Sequence, residues 1–173
     1  MSTDDEFIQT IIANPDDDTP RLVYADWLDE QGDPRGEFIR VQCALATMAD
    51  EDPRRWDLEL RQARLLRWYG WQWWHNAFAP DARRPVFRRG FVEEAAVAGG
   101  EFLAQPDHYF GLYPLLQDLT LESVRPVHLP ELLRLSLPKN LKVLRIGSTP
   151  LGRLGGAAIQ ALQAQFGNRL GLR

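Results

Sequence analysis

Cysteine is nearly absent from this sequence of 173 residues, in which Cys43 is the only one. A single cysteine forms no disulfide within the chain and cannot supply a metal site built from several thiolates. Its neighbours in the segment VQCALA are mostly apolar, which is typical of a small core residue. We therefore expect Cys43 to be a buried, structural thiol.

Long apolar runs are also missing from the sequence. No window approaches the roughly 18 uninterrupted apolar residues that a membrane-spanning helix needs. The first residues lack the basic segment followed by an apolar run that a secretory signal would have. The sequence predicts a cytoplasmic protein that does not enter a membrane.

The short motifs of several common catalytic and nucleotide-binding sites are absent as well. There is no Gly-x-Ser-x-Gly, no GxxxxGK(S/T) and no GxGxxG. The three histidines, His75, His108 and His128, follow no metal-ligand spacing such as HExxH, and we interpret them as surface or capping residues. We expect no catalytic residue, no metal and no cofactor, and therefore a protein that is not an enzyme.

Charge is present in quantity, but it is unevenly distributed under a net charge of −4. Residues 1–53 contain 14 acidic residues and 3 arginines, whereas residues 54–89 contain 9 arginines and 3 acidic residues. Such blocks either pair or face solvent within one fold, or they leave a basic segment that attracts a polyanion. We favour the first interpretation and keep the second as an alternative.

Proline and side-chain oxygens at several positions in the first half of the chain are typical of helix N-termini, and they predict four helices. Thr19-Pro20, Asp33-Pro34 and Asp52-Pro53 each place a side-chain oxygen at the N-cap and proline at the first helical position. Apolar residues then recur at helical spacing. The predicted helices span residues 4–13, 20–31, 34–49 and 54 to Gly70, where glycine should interrupt the last one before a further turn within residues 71–79.

Three consecutive aspartates, Asp16 to Asp18, lie between the first two predicted helices. A calcium loop needs ligands at alternate positions, a central glycine and a glutamate at its twelfth position, and this segment lacks that spacing. Negative charge at a helix N-terminus is favourable because of the helix dipole. We interpret the three aspartates as residues that separate the first two helices and favour the start of the second. Asp26 lies within the apolar segment VYADWL, and we interpret it as a member of a structural ion pair or as a cap.

After Gly90 the sequence changes to short apolar strands that repeat. The segments FVEEAAVAG (91–99), LLQDLTLES (115–123) and NLKVLRIGS (140–148) align with offsets of 24 and 25 residues. This spacing, with Leu-x-x-Leu-x-Leu in the second and third copies, is typical of leucine-rich repeats. Leu170 and Leu172 predict a fourth strand. The alignment stacks these inward positions: Ala95 and Val97, Leu119 and Leu121, Leu144 and Ile146.

The segment PDDDTPRLVYADWLDEQGDPRGEFIRVQ (15–42) closely resembles the repeat-companion domain, a short bacterial module of multi-paralogue families in planctomycetes and myxobacteria. The resemblance covers about residues 5–47. It implies no enzymatic activity or ligand, but such modules commonly precede leucine-rich repeats. The matching residues are Pro15, Asp17, Asp18, Pro20, Arg21, Tyr24, Ala25, Asp26, Trp27, Leu28, Gly32, Asp33, Pro34, Arg35, Glu37, Phe38, Ile39 and Gln42.

These patterns together predict an α/β protein in which an N-terminal helical cap of about four helices packs on a short leucine-rich-repeat solenoid with three to four parallel strands. The predicted parts are a repeat-companion helical domain over residues 1–50, an arginine- and tryptophan-rich capping segment over 51–89, and the repeat array over 90–173. The first repeat of such an array cannot bury its apolar face alone and needs a cap. We assign that role to the helical half.

The residues that alternate with the inward ones should form the outward face of the sheet. They make three predicted rungs: Glu94/Asp118/Val143, Ala96/Thr120/Arg145 and Ala98/Glu122/Gly147. Curved repeat surfaces are commonly binding faces, so we predict that this one binds an unidentified protein partner through a basic patch on that partner. The predicted binding residues are Glu94, Asp118, Thr120, Glu122 and Arg145.

Two alternatives stay open, and the sequence does not define the oligomeric state. The aromatic run RWYGWQWWHNAF (67–78) lies among arginines, as in proteins that stack single-stranded nucleic acid. The same aromatic side chains suit a helix that covers the end of a repeat stack, and the acidic chain favours that core role. A structural subunit that pairs through the terminal repeat near Leu170 is the other alternative. The nucleic-acid contacts would be Arg61, Arg64, Arg67, Arg83, Arg84, Arg88 and Arg89.

Overall fold

The computed structural model describes residues 3–74, 85–147 and 155–172. These residues form eight α-helices and one five-stranded sheet, so the fold is mixed α/β with a helical N-terminal part. The helices are α1 (Thr3–Ala13), α2 (Thr19–Glu30), α3 (Arg35–Thr47), α4 (Arg55–Trp73), α5 (Gly99–Ala104), α6 (Pro106–Leu112), α7 (Leu129–Arg134) and α8 (Gly156–Phe166). The strands are β1 (Val86–Arg88), β2 (Phe91–Ala98), β3 (Asp118–Glu122), β4 (Val143–Gly147) and β5 (Leu170–Leu172).

The chain divides into two compact units. Unit 1 consists of Met1–His75 and Phe87–Val92, and unit 2 of Asn76–Val86 and Glu93–Arg173. Strand β2 therefore passes from unit 1 into unit 2 between Val92 and Glu93. Among the described residues, no helix is long and apolar enough to cross a membrane.

The first helices of unit 1 begin close to where the punctuation predicts. Asp33 Oδ1 accepts a hydrogen bond from the Arg35 N–H at 2.8 Å, and Asp52 Oδ1 accepts one from the Arg54 N–H at 2.9 Å. Both bonds satisfy an N–H that the helix itself leaves unpaired. At the start of α2 the predicted capping residue was wrong, because Asp17 rather than Thr19 is the side-chain acceptor and binds the Thr19 N–H at 2.8 Å.

Gly70 does not interrupt α4, which continues to Trp73, and this corrects the expectation from the sequence. Gly70 is buried, and a methyl group there would lie 2.9 Å from the ring of Trp74. The glycine is therefore accommodated within the helix, where it lets the indole approach the backbone. The expected extra turn beyond α4 lies mostly outside the described residues.

Helices α2 and α3 approach each other closely in unit 1. A methyl group at Gly36 would lie 2.6 Å from the carbonyl oxygen of Ala25, which explains a glycine at this position of α3. Arg40 of α3 binds two carboxylates of α2, that of Asp26 at 2.6 Å and that of Asp29 at 2.5 Å. The interpretation of Asp26 as an ion pair is confirmed, although its side chain is exposed rather than half-buried.

Strands β1 and β2 are adjacent and are joined by a tight turn at Arg89 and Gly90. Both turn residues have positive φ, 49° at Arg89 and 88° at Gly90. This is the backbone that tight hairpin turns require, and glycine adopts it without strain. Strand β1 has no counterpart among the elements expected from the sequence.

Unit 2 contains parallel strands in sequential order, and their register is the one predicted. Ala95 pairs with Leu119, and Leu119 with Leu144. The predicted fourth strand is confirmed as β5, where Leu170 pairs with Leu144. Each parallel connection contains at least one helix, including the middle one, where a 3-10 turn over Pro126–His128 leads into α7. The inward positions of β3 and β4, namely Leu119, Leu121, Leu144 and Ile146, are at most 1% exposed and form the core of the unit.

Candidate functional site

The outward residues of β2, β3 and β4 in unit 2 lie side by side as predicted. Glu94 pairs in register with Asp118, and Asp118 with Val143. Thr120 lies between Ala96 and Arg145, while Glu122 lies between Ala98 and Gly147. We call the five predicted binding residues, Glu94, Asp118, Thr120, Glu122 and Arg145, the sheet face. The structure brings all five together on one surface.

The charges of Asp118 and Arg145 neutralise each other within the sheet face. Arg145 Nη1 forms an ion pair with Asp118 Oδ1, and the two side chains are partly buried. The stem of Arg145 lies over the neighbouring strand, where a methyl group at Gly171 would lie 3.1 Å from its Cγ. A glycine at position 171 therefore makes room for the arginine. The paired charges present a fixed hydrogen-bonding pattern rather than two independent charges.

Glu122 differs from the other charged residues of the sheet face whose contacts are described. Its Oε2 atom is buried and has no hydrogen-bond partner in the described part of the chain. The carboxylate lies directly over Gly147, because a methyl group there would come within 2.8 Å of both carboxylate oxygens. An unsatisfied carboxylate oxygen removed from water is costly until a donor reaches it. Glu122 therefore has an acceptor that the described part of the chain does not use, and an external donor reaches it when the side chain turns outward.

Two of the seven arginines of the second candidate site, Arg61 and Arg89, bind carboxylates within unit 1. Arg61 binds Glu37 through two contacts, one of them 2.7 Å between Nη2 and Oε2, and Arg89 lies 3.4 Å from Asp18. Arg83 and Arg84 lie outside the described residues, and Arg88 is exposed on β1. Arg64 and Arg67 are exposed on α4 and form no ion pair with described residues.

The aromatic run of α4 is split between core and surface. The rings of Trp73 and Phe38 stack with centroids 4.7 Å apart, so Trp73 packs against the core of unit 1. Trp68 and Trp71 are more than half exposed, so the core prediction was wrong for them. Because α4 continues through Gly70, helical periodicity directs Trp71 away from the buried Leu65, whereas Trp68 lies one turn from Leu65 at the edge of the exposed side.

A shallow depression of about 200 Å³ lies beside the exposed part of α4. It joins residues of α4 to the start of α3, so the Glu37–Arg61 ion pair forms part of its wall. Its lining residues are Pro34, Glu37, Arg61, Arg64, Leu65, Trp68 and Tyr69.

The three aspartates Asp16 to Asp18 have different surroundings. Hydrogen bonds from Thr19 lower the pKa of Asp17, as expected for a carboxylate that caps a turn. Asp18 faces Arg89, and Asp16 is exposed. Among the described residues, no group of three or more histidine, cysteine, aspartate or glutamate side chains is arranged to hold a metal.

Two isolated residues behave as the sequence suggests. Cys43 is buried, and desolvation raises the pKa of its thiol to about 12, so it is a structural residue. His128 Nδ1 accepts a hydrogen bond from the backbone N–H of Arg125 at 3.2 Å, which is a capping role. His75 lies outside the described residues.

Most residues of the repeat-companion resemblance whose contacts are known have structural roles in unit 1. Arg21 is fully buried and donates a hydrogen bond to the Asp17 carbonyl at 3.2 Å, and its guanidinium lies 5.9 Å from the ring centre of Phe91. The Tyr24 hydroxyl donates to Asp4 Oδ1 at 2.5 Å. Gln42 binds the turn between β1 and β2, a role that helical periodicity does not reveal. These residues of the segment therefore stabilise the fold of unit 1.

Comparisons with protein-family models, with curated proteins and with solved structures find no match to this chain. The repeat-companion assignment consequently stays a prediction based on the residues of segment 15–42.

Proposed function

We propose that this chain is a non-catalytic protein-interaction module that binds a protein partner through the sheet face. The observation that carries the proposal is the buried Oε2 atom of Glu122, which has no hydrogen-bond partner among the described residues. In the complex the Glu122 side chain turns outward, and an arginine or lysine of the partner supplies the missing donor in a charge-assisted hydrogen bond. The partner thus presents a cationic side chain to the Ala98/Glu122/Gly147 rung.

The architecture of unit 2 supports this proposal. Sequential parallel strands, joined by helical connections and stacked at offsets near 25 residues, fit a short leucine-rich-repeat solenoid. Asn140 adds a contact between successive repeats, because its side-chain amide donates to the carbonyls of Pro114 and Leu116, each at 2.9 Å. In this proposal residues 1–50 are the repeat-companion domain, and residues 51–89 are the arginine- and tryptophan-rich segment that follows it.

The neighbouring ion pair gives the binding surface its specificity. Asp118 and Arg145 compensate each other, so an additional positive charge gains little from Asp118 and is repelled by Arg145. Glu122 is therefore the preferred contact for a cation. Glu94 and Thr120 extend the same surface with one acidic and one hydroxyl side chain.

A quantitative pull-down from native lysate at two salt concentrations tests the proposal. The baits are the wild-type chain, Glu122→Arg and the control Glu131→Arg, which reverses an exposed acidic residue of α7 in the same unit. We expect one protein to be captured by wild type and by the control and to be lost with Glu122→Arg. Binding of that protein in purified form must repeat the pattern.

Two results would contradict the proposal. One is a purified partner that binds Glu122→Arg as tightly as wild type while both variants show unchanged thermal unfolding. The other is a turnover activity that a single polar substitution abolishes.

A second candidate function is binding of single-stranded nucleic acid, which the exposed Arg64, Arg67, Trp68 and Trp71 of α4 favour. Two phosphate contacts at about −0.7 each give a salt-dependence slope of about −1.4 for log K against log salt concentration. Fluorescence anisotropy with a labelled oligonucleotide measures this slope. Binding that persists in Arg64→Gln/Arg67→Gln would exclude this surface.

A further inference from the structure

One side of α4 exposes large apolar residues along its whole length. Trp56 is 72% exposed, Leu60 42%, Trp68 67% and Trp71 56%. Trp56, Leu60 and Trp71 lie on the side of the helix that faces away from the buried Leu65. Trp68 lies at the edge of this exposed side, one turn from Leu65. Single exposed apolar residues are ordinary, but a contiguous group on one helix face marks an interaction surface. We call these four residues, with Asp57, Arg64 and Arg67, the outer face of α4.

The charges on this outer face are arranged by sign along the helix. Asp57 lies near the N-terminal end, whereas Arg64 and Arg67 lie in the C-terminal half. Within the part of the chain that the structure describes, none of the three forms a hydrogen bond or ion pair with another side chain. These charges are therefore available to an external partner.

We propose that the outer face of α4 binds the outer face of α4 in a second copy of this chain, with the two helices antiparallel. Antiparallel pairing brings Asp57 of each copy opposite Arg64 and Arg67 of the other. It also places Trp56 of each copy next to Trp68 and Trp71 of the other, with Leu60 near the centre. Each contact occurs twice because a two-fold axis relates the copies.

The charge pattern favours an antiparallel second copy over a parallel copy and over a nucleic acid. In a parallel pair of the same helices, arginines would face arginines and aspartate would face aspartate, which is unfavourable. A nucleic acid would gain only two free cations and would bring its phosphates close to Asp57. The pattern is complementary to itself only when the second helix is reversed.

Charge reversal in the full-length chain tests the antiparallel pair. Sedimentation equilibrium and light scattering over a range of micromolar concentrations give the dissociation constant of the wild type and of each variant. We expect Asp57→Arg and Arg67→Asp each to weaken association at least about tenfold, because each creates like-charge contacts. Asp107→Arg, at an exposed position of α6, is the control and should leave association unchanged.

Mixing the two weakened variants provides the decisive measurement. An Asp57→Arg chain and an Arg67→Asp chain restore both opposite-charge contacts when they pair with each other. We expect the mixture to form heterodimers with an affinity close to that of wild type. In a parallel pair each single reversal replaces one like-charge contact with another, so the single variants would associate as the wild type does.

Three results would overturn the proposal. They are a wild type that remains monomeric at the highest concentration, a dimer that neither charge reversal weakens, and a mixture that associates no better than its components. Circular dichroism of each variant checks that the helices remain folded. A Leu60→Asp variant, which removes the central apolar contact without altering Asp57 or the arginines, must also dissociate if the proposal is right.

Discussion

The side-chain oxygen of Gln42 accepts a hydrogen bond from the backbone N–H of Gly90 at 2.7 Å. The amide nitrogen of the same side chain donates to the carbonyl of Phe87 at 3.2 Å and to Gln62 Oε1 at 2.9 Å. One buried amide of α3 thus holds both sides of the turn between β1 and β2. The hairpin is fixed to the helices of unit 1 by this contact.

Replacing Gln42 with leucine should destabilise unit 1 by about 1–3 kcal/mol, because the buried Gly90 N–H loses its acceptor. Urea unfolding followed by circular dichroism measures the change in midpoint. Gln72→Leu, at an exposed position of α4, is the matched control and should change the midpoint little. Equal midpoints for Gln42→Leu and wild type would show that water replaces the lost bonds.

Gly90→Ala should also destabilise the protein, by roughly 2 kcal/mol or more, through backbone strain and overpacking. Gly90 has a φ of 88°, and an added methyl group would lie 2.2 Å from Ile39 Cγ1. Thermal unfolding monitored by tryptophan fluorescence measures the loss. Gly111→Ala in α6 has open space around the new methyl group and should be neutral or slightly stabilising.

Leu144→Ala should cost about 2–5 kcal/mol of the stability of unit 2, since it leaves a cavity between β3 and β5. Leu144 is fully buried and pairs in register with both Leu119 and Leu170. Chemical unfolding measures the loss. The control is Leu112→Ala, which removes the same side chain from a position that is 45% exposed. If Leu112→Ala cost as much stability as Leu144→Ala, the inward residues of β3 and β4 would not be the core of unit 2.

Cys43 should be unreactive toward a thiol reagent in the folded protein at pH 8. Burial raises the pKa of this thiol from 9.0 to about 12, so the reactive thiolate is scarce. The unfolded chain loses this proton at lower pH than the folded chain, and stability should therefore fall as pH rises from about 9 toward 12. Reagent absorbance before and after denaturation measures reactivity, and rapid labelling of the native protein would disprove the assignment.

The parallel ladder of unit 2 could be predicted because its cause is periodic. Strands alternate inward and outward residues, so only one register buries Leu119 and Leu121 over Leu144 and Ile146. The alignment of the three strand sequences was therefore sufficient to predict which residues pair. The short strand β1 and the helix α7 of the middle connection gave weaker signals, since each contains too few residues to show a period.

The surface of α4 could not be predicted in the same way. Its sequence mixes tryptophan and arginine, and either residue type covers apolar surface or faces solvent. The assumed end at Gly70 hid the helical phase of the residues after it, which exposes Trp71 while it buries Trp73 in part. Helix length therefore decided which side chains belong to the candidate surface.

The sequence by itself determined that helices begin just after Asp33 and Asp52, and that Cys43 is buried. It also determined the register of β2, β3 and β4. These features follow from helix capping, from an apolar local sequence and from strand alternation, each of which acts over a few residues. Only the tertiary structure decided that Asp26 pairs with Arg40, that Gln42 holds Gly90, and that Arg145 neutralises Asp118 while the Oε2 of Glu122 lacks a described partner. These contacts join residues that are distant in sequence or lie on different strands. Their geometry depends on how whole elements pack, which no local pattern encodes.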